Sequence, residues 1–146
     1  MLRPMDGLLA LPMLALALLT FGVAVVLLVR RTREMRARHI HPQSVASAND
    51  MASKLEDNRA ADNFRNLFEA PVLFYAAMLA AIALHGGAWG LLLLAWLYVA
   101  LRLVHSIIHC TYNRVKHRFV VYLASMIVLF AIWCAVGAHA ILVAGQ

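Results

Sequence analysis

Asn66 and Glu69 stand three residues apart, and Arg65 and Glu69 four apart, at the mouth of a long apolar stretch. Helical spacing puts residues three and four apart on one side, so Asp62, Arg65, Asn66 and Glu69 form a polar face where the chain turns apolar. A carboxylate at membrane depth is costly without a partner, and an ionisable group there marks a candidate site. Further along, Arg102, His105 and His109 follow the same spacing, with Ser106 beside them. Arg102 is the natural partner for Glu69, because each charge buried alone would be strongly penalised. The two faces together offer a carboxylate, amides, a guanidinium and imidazoles, a set suited to an anionic polar ligand. If that ligand carried a thiol, a neighbouring arginine would lower its pKa and favour the reactive thiolate.

Other chemistries fit less well. His105 and His109 have a spacing that suits a metal, but no other helix carries a second histidine pair, and no metal is assigned. Cys110 follows His109 directly, and consecutive helical residues point to different sides, which argues against a preformed Cys–His nucleophile. The plain alternative for helix 2 is an Arg65–Glu69 pair at headgroup level with no ligand.

The elements that must carry these residues are membrane spans. The chain has 146 residues, of which 64% are hydrophobic and only 14% charged, well below the charged fraction of soluble domains. With a mean hydropathy of +0.78 and apolar residues blocked into long runs, this is the composition of a single integral membrane bundle. Gly7 to Val29 is free of charge and ends in Arg30-Arg31-Thr32-Arg33, a stop-transfer pattern rather than a cleaved signal peptide. Four spans are expected, over about 7–29, 66–84, 88–108 and 119–143. Pro12 is expected to bend the first span and Pro71 to kink the second, leaving the Leu67 carbonyl without its helical donor. Asp50 or Ser53 is a candidate cap for a short helix in the first loop, and His39 and His41 are read as solvated. His85-Gly86-Gly87 is a minimal connection that makes spans two and three an antiparallel hairpin. Ser125 and Gly137 would permit close helix contacts in the last span, and His139 is read as interfacial.

Except for Arg3, every Lys and Arg lies in 30–65 or 102–118. Beside membrane spans such clusters report orientation and anionic headgroups rather than nucleic acid. The positive-inside rule therefore puts both basic loops in the cytoplasm and both termini on the opposite side. Cys110 and Cys134 form no disulfide framework.

These residues resemble the MAPEG family, the membrane-associated proteins in eicosanoid and glutathione metabolism. Asn66-Leu67-Phe68-Glu69 matches the family's Asn-x-x-Glu, and Arg102 to His109 is similar to the end of helix 3 in microsomal glutathione transferases. The resemblance covers most of the chain: four spans, a long basic first loop, a very short second one and a polar start to helix 2. It implies a left-handed, all-α four-helix membrane bundle that assembles as a homotrimer. It implies glutathione as co-substrate, bound between subunits near the cytosolic face and contacted by Asn66, Glu69 and Arg102. His105, His109, Tyr112 and Arg65 complete the candidate binding set. Arg114 or Arg118, at the start of helix 4, would stabilise the thiolate. Two positions depart from the family pattern. Asp62 stands where the enzymes usually carry Arg, with Arg59 and Arg65 nearby but not at the matching position. His109 replaces a common tyrosine, and Tyr112 lies one turn later.

Two functions follow as expectations. One is a glutathione-dependent transferase or peroxidase acting on a lipophilic small molecule at the membrane. The other is a non-catalytic membrane subunit or lipid-binding protein on the same bundle, which Asp62 and His109 favour.

Overall fold

Two prolines divide the first half of the chain. The computed structural model describes residues 4–145, so Arg3 lies outside the described residues. Helix α1 (Pro4–Leu8) gives way at Leu9 to α2 (Ala10–Ala37). The ring of Pro12 would press on the carbonyl four residues back, that of Leu8, which puts the discontinuity there. The same geometry recurs at Pro71. Helix α4 (Arg59–Asn66) ends, residues 67–69 form a turn, and α5 (Ala70–Ala83) begins with Pro71 in its first turn. The second span is thus two helices, not one kinked helix, because the turn at Glu69 (φ −95°, ψ −91°) leaves helical geometry altogether.

The other elements are α3 (Ala48–Lys54), α6 (Trp89–Cys110) and α7 (Val115–Ala144), with a single 3₁₀ turn over Pro42–Val45. No strand occurs among the described residues. Helix α2 runs past the apolar run to Ala37, as the arginines after Val29 permit. The cap of α3 is neither Asp50 nor Ser53. Extended backbone at Ser47 lets its Oγ accept the Asp50 N–H at 3.1 Å, which is where an N-cap oxygen must sit. Helix α7 begins at Val115, one turn before the expected start, because Arg114 is already extended and serves as its N-cap.

Four helical stretches, 4–37, 59–83, 89–110 and 115–144, are long and apolar enough to cross a membrane. Large side chains such as Leu14, Leu18 and Phe21 on α2 and Ile127 and Phe130 on α7 face outward, the pattern of a bundle solvated by lipid. Inside, Leu16, Phe74, Met78, Tyr98, Leu129 and Ile132 form one apolar core. The short connection joins α5 to α6, yet the closest backbone packing of α5 is with α7, and that of α6 also with α7. Between α5 and α6 stand long side chains: Phe74 stacks on Tyr98 at 4.7 Å between ring centroids. Ser125 is buried, with its Oγ donating to the Tyr122 carbonyl at 2.7 Å. A Cβ built on Gly137 would meet nothing within 4 Å, so the described residues make no close helix contact that requires a glycine there.

The far end is closed by polar contacts that include an acid with no counterpart in the sequence expectations. Asp6 is fully buried and accepts from His85 Nδ1 at 3.1 Å and from the Gly87 N–H at 3.0 Å. His85 takes a left-handed φ of 51°, and the Gly86 N–H reaches back to the Ala81 carbonyl, ending α5 as a Schellman turn. His139 donates from Nε2 to the Leu84 carbonyl at 3.1 Å and ties α7 to this turn at the end of the second span.

The opposite end is held by Asp57. Its carboxylate accepts from Arg59 Nε at 2.8 Å and Nη2 at 3.0 Å, and pairs with Arg30 at 3.3 Å. The same two arginines donate to the last carbonyls of α6: Arg30 Nη2 to Cys110 at 2.7 Å and Arg59 Nη1 to Thr111 at 2.6 Å. Cations on those orphan carbonyls also answer the negative end of the helix dipole. Glu34 holds the loop in register, pairing with Arg38 at 3.0 Å and accepting the Glu56 N–H at 2.7 Å.

A Cβ on Gly87 would stand 2.5 Å from Asp6 Oδ1 and 2.9 Å from the Met5 backbone. Gly87→Ala is therefore expected to cost about 1–3 kcal/mol of overpacking, read as a lower unfolding midpoint in detergent. At Asp57, the Arg59 hydrogen bonds, with the Arg59 and Arg30 charges, hold the carboxyl below its usual range against the opposing effect of burial. Its contribution is then complete above the unfolded value of about 3.9 and disappears as pH falls through the lower folded value. Asp57→Asn should lower stability by about 1–2 kcal/mol at neutral pH. That gap should narrow as unfolding is followed from about pH 5 downward.

Candidate functional site

Helix α6 turns Tyr98, Arg102, His105, Ser106 and His109 to the inside, and all are buried. Their spacing of four, three, one and three keeps them on one face. Arg102 is the largest side chain that is wholly enclosed. Its Nη2 donates to the Asn66 carbonyl at 2.9 Å, and its guanidinium carbon lies 5.7 Å from the centre of the Tyr122 ring. Its Nε and Nη1 donors have no hydrogen-bond partner among the described residues.

The partner expected for Arg102 is displaced. Glu69 is exposed and forms no ion pair among the described residues, because the turn at 67–69 carries its side chain away from the α4 face. The carbonyl that meets Arg102 is accordingly that of Asn66 and not that of Leu67. The same turn removes the i,i+4 relation between Arg65 and Glu69. Arg65 and Asp62 are exposed, and Asn66 is half-buried at the rim.

Arg118, in the second turn of α7, is where the two histidines converge. His105 Nδ1 lies 3.2 Å from the Arg118 carbonyl, which can only accept, so that ring nitrogen donates. Arg118 Nη1 lies 2.9 Å from His109 Nε2, and a guanidinium can only donate, so Nε2 accepts. The same Nη1 donates to Asn113 Oδ1 at 2.9 Å. Thus the His-x-x-x-His pair holds an arginine, with ring centroids 5.6 Å apart. Among the described residues no three His, Cys, Asp or Glu side chains gather as a metal-holding group.

A cavity of about 230 Å³ opens beside this arginine, lined by Asn66, His105, Val115, Arg118, Phe119 and Tyr122. Arg114 and Tyr112 stand apart from it. Arg114 is exposed at the N-cap of α7, and Tyr112 is exposed with its hydroxyl 3.3 Å from His117 Nδ1. Cys110 accepts from Asn63 Nδ2 at 3.5 Å. A larger polar cavity of about 550 Å³ between Arg30, Arg33, Arg38 and Arg59 also contains Glu34, Glu56 and Asp57, and three of its four arginines pair with those acids.

The expected set therefore divides. Asn66, Arg102, His105, His109 and Arg118 come together, while Arg65, Glu69, Tyr112 and Arg114 face outward in the single chain. Four contributors were not foreseen. Asn63 is fully buried and accepts from Ser106 Oγ at 3.3 Å, joining α4 to α6. Tyr98, Asn113 and Tyr122 surround the two arginines. The signal for three of them was present: Asn63 precedes Asn66 by three, Tyr98 precedes Arg102 by four, and Tyr122 follows Arg118 by four. Asn113 had no such signal, since it bonds from a loop position with φ 50°.

No curated protein and no solved structure matches the chain. The sequence model of one family does, over residues 9–138, nearly the whole chain. Four apolar helices, a buried arginine facing the start of the second span and a match of that extent make this chain a member of the MAPEG family.

Proposed function

We propose that the protein is a glutathione-dependent transferase or peroxidase acting on lipophilic electrophiles in the bilayer. The observation that carries this is the pair of unpartnered donors on fully buried Arg102, whose contacts Asn66 and Tyr122 line the cavity together with Arg118. Buried polar groups are nearly always satisfied, and a charged donor left bare in an apolar bundle is costly. No carboxylate of the described residues forms an ion pair with either arginine. An anionic ligand meets that need, and glutathione carries carboxylates for the guanidinium of Arg102 and a thiol for that of Arg118. Family membership supports the choice, since the family includes glutathione transferases and peroxidases.

In this scheme Asn66 and Arg102 hold the peptide, and Arg118 stabilises the thiolate, a role that its place on the cavity favours over exposed Arg114. The thiolate attacks an electrophilic carbon, forming a C–S bond as the leaving group departs with its electron pair. With a hydroperoxide it attacks the terminal oxygen and breaks the O–O bond, giving the sulfenic acid of glutathione and, once protonated, the alcohol; a second glutathione thiol then displaces that oxygen as water to form the disulfide. The acceptor arrives sideways from lipid. A homotrimer with its basic loops in the cytoplasm would let a neighbouring subunit bring further residues over the cavity, which borders the exposed side chains Val115 and Phe119 of α7. Exposed Glu69, Arg65 and Tyr112 are then available to the joint site.

Glutathione should raise the unfolding midpoint of the purified protein and give thiolate absorbance near neutral pH. Arg118→Ala should abolish that absorbance and lower turnover by about 100-fold or more, with weaker loss of binding. Absence of both the thermal shift and the absorbance in the unaltered protein would remove this assignment.

A further inference from the structure

His109 stands at a position where the family resemblance leads one to expect a tyrosine, and its geometry gives it a specific task. We propose that His109, together with Asn113, is a positioning residue that fixes the Arg118 guanidinium at the thiol subsite, an inference that rests on the glutathione assignment above.

Arg118 Nη1 has two hydrogens. One is taken by His109 Nε2 at 2.9 Å and the other by Asn113 Oδ1 at 2.9 Å. That nitrogen is therefore saturated, and its two acceptors come from different places: the end of α6 and the following loop. Two bonds at one nitrogen, together with the fixed plane of the guanidinium, define its orientation. The remaining donors, Nε and the Nη2 hydrogens, are left for the cavity that Arg118 lines. The backbone of the same residue is held as well, since His105 Nδ1 donates to the Arg118 carbonyl at 3.2 Å. Arg118 is thereby gripped at its main chain by one histidine and at its side-chain tip by the other, one helical turn apart.

The chemistry of the acceptor matters. A guanidinium cannot accept, so the bond requires a lone pair on His109 Nε2 and hence a neutral ring with its proton on Nδ1. Tyrosine at this position would present a hydroxyl that also donates and competes. Imidazole in this tautomer presents only a lone pair towards the cation. His109 is 1% exposed, so water does not readily substitute for Arg118. The charged groups acting on this ring are Arg118 from α7, Asp62 from α4 and Arg102 on its own helix, with the His105 ring 5.6 Å away.

The test uses the full-length protein in detergent or vesicles, with glutathione as the probe. His109→Leu removes the acceptor, and His109→Gln offers an amide oxygen in its place. The expected result for His109→Leu is a thiolate that forms only at higher pH, by about one unit or more, as Arg118 loses its aim. Turnover should fall about 10- to 100-fold, with the glutathione KM changed by less than about threefold. His109→Gln should recover most of both. A purely structural role would move the unfolding midpoint in both variants without shifting the pH of thiolate formation. That outcome, or a glutamine variant no better than leucine, overturns the proposal. Nitrogen NMR of the His109 ring in the ligand-free protein separates this failure from that of the glutathione assignment. An Nε2 that accepts a hydrogen bond, lost in Arg118→Ala, shows the His109–Arg118 bond itself, so that a failure of glutathione to bind then counts against the glutathione assignment and not against the bond. A protonated Nε2 ends the positioning role even if glutathione binds.

Discussion

A guanidinium wholly enclosed between apolar helices sets the terms for everything around it. Arg102 cannot shed its proton, so the bundle must supply acceptors or leave the charge bare. Within the chain it supplies one, the Asn66 carbonyl, together with the face of the Tyr122 ring. That carbonyl is a main-chain group at the end of α4, next to the turn that Pro71 imposes. The proline, the broken second span and the arginine are therefore one arrangement. An unbroken helix would keep Glu69 on the face towards Arg102, so the turn gives the guanidinium a main-chain carbonyl in place of a carboxylate.

The two ends of the bundle are finished in different ways. At the far end, Asp6 closes on His85 and Gly87, and His139 closes on Leu84. Each polar group there with a contact has it from another part of the same chain. At the basic end, Asp57, Arg30 and Arg59 close the α6 terminus just as tightly. Along the inner face of α6 the pattern changes: Arg102 Nε and Nη1, His105 Nε2, His109 Nδ1 and the Tyr98 hydroxyl have no partner among the described residues. Unmet polar atoms along one buried helix face, next to a well-satisfied rim, are what the proposed ligand would have to answer.

Long-period features were legible in the sequence. Four long apolar runs became four membrane-length helical stretches, and the Arg102–His105–His109 spacing became one buried face, because length and helical period do not depend on the partner. The connection at 85–87 and the ends of the third span also follow the sequence, whereas the break in the second span and the cap of α3 do not. Pro71 was visible, but a kink and a three-residue turn begin from the same residue, and only the second swings Glu69 out. The cap at Ser47 was missed for a similar reason: Ser47, Asp50 and Ser53 are all good caps, and local backbone angles decide between them. Asp6 was passed over because its partners lie at 85 and 87, a contact that no periodicity announces.

The two departures from the family pattern have unequal weight once their surroundings are known. Asp62 is exposed on α4, so the exchange of a cation for an anion there puts no negative charge inside the cavity that Arg118 and His105 line. Its charge acts on the His109 ring, but from the exposed side of α4 and without a bond to either arginine. His109 is buried and bonded directly to Arg118, so any change there passes straight into the geometry of the guanidinium. A substitution that inverts a charge thus disturbs the pocket less than one that replaces an aromatic alcohol with an aromatic amine. The distance to Arg118, rather than the size of the chemical change, decides which matters.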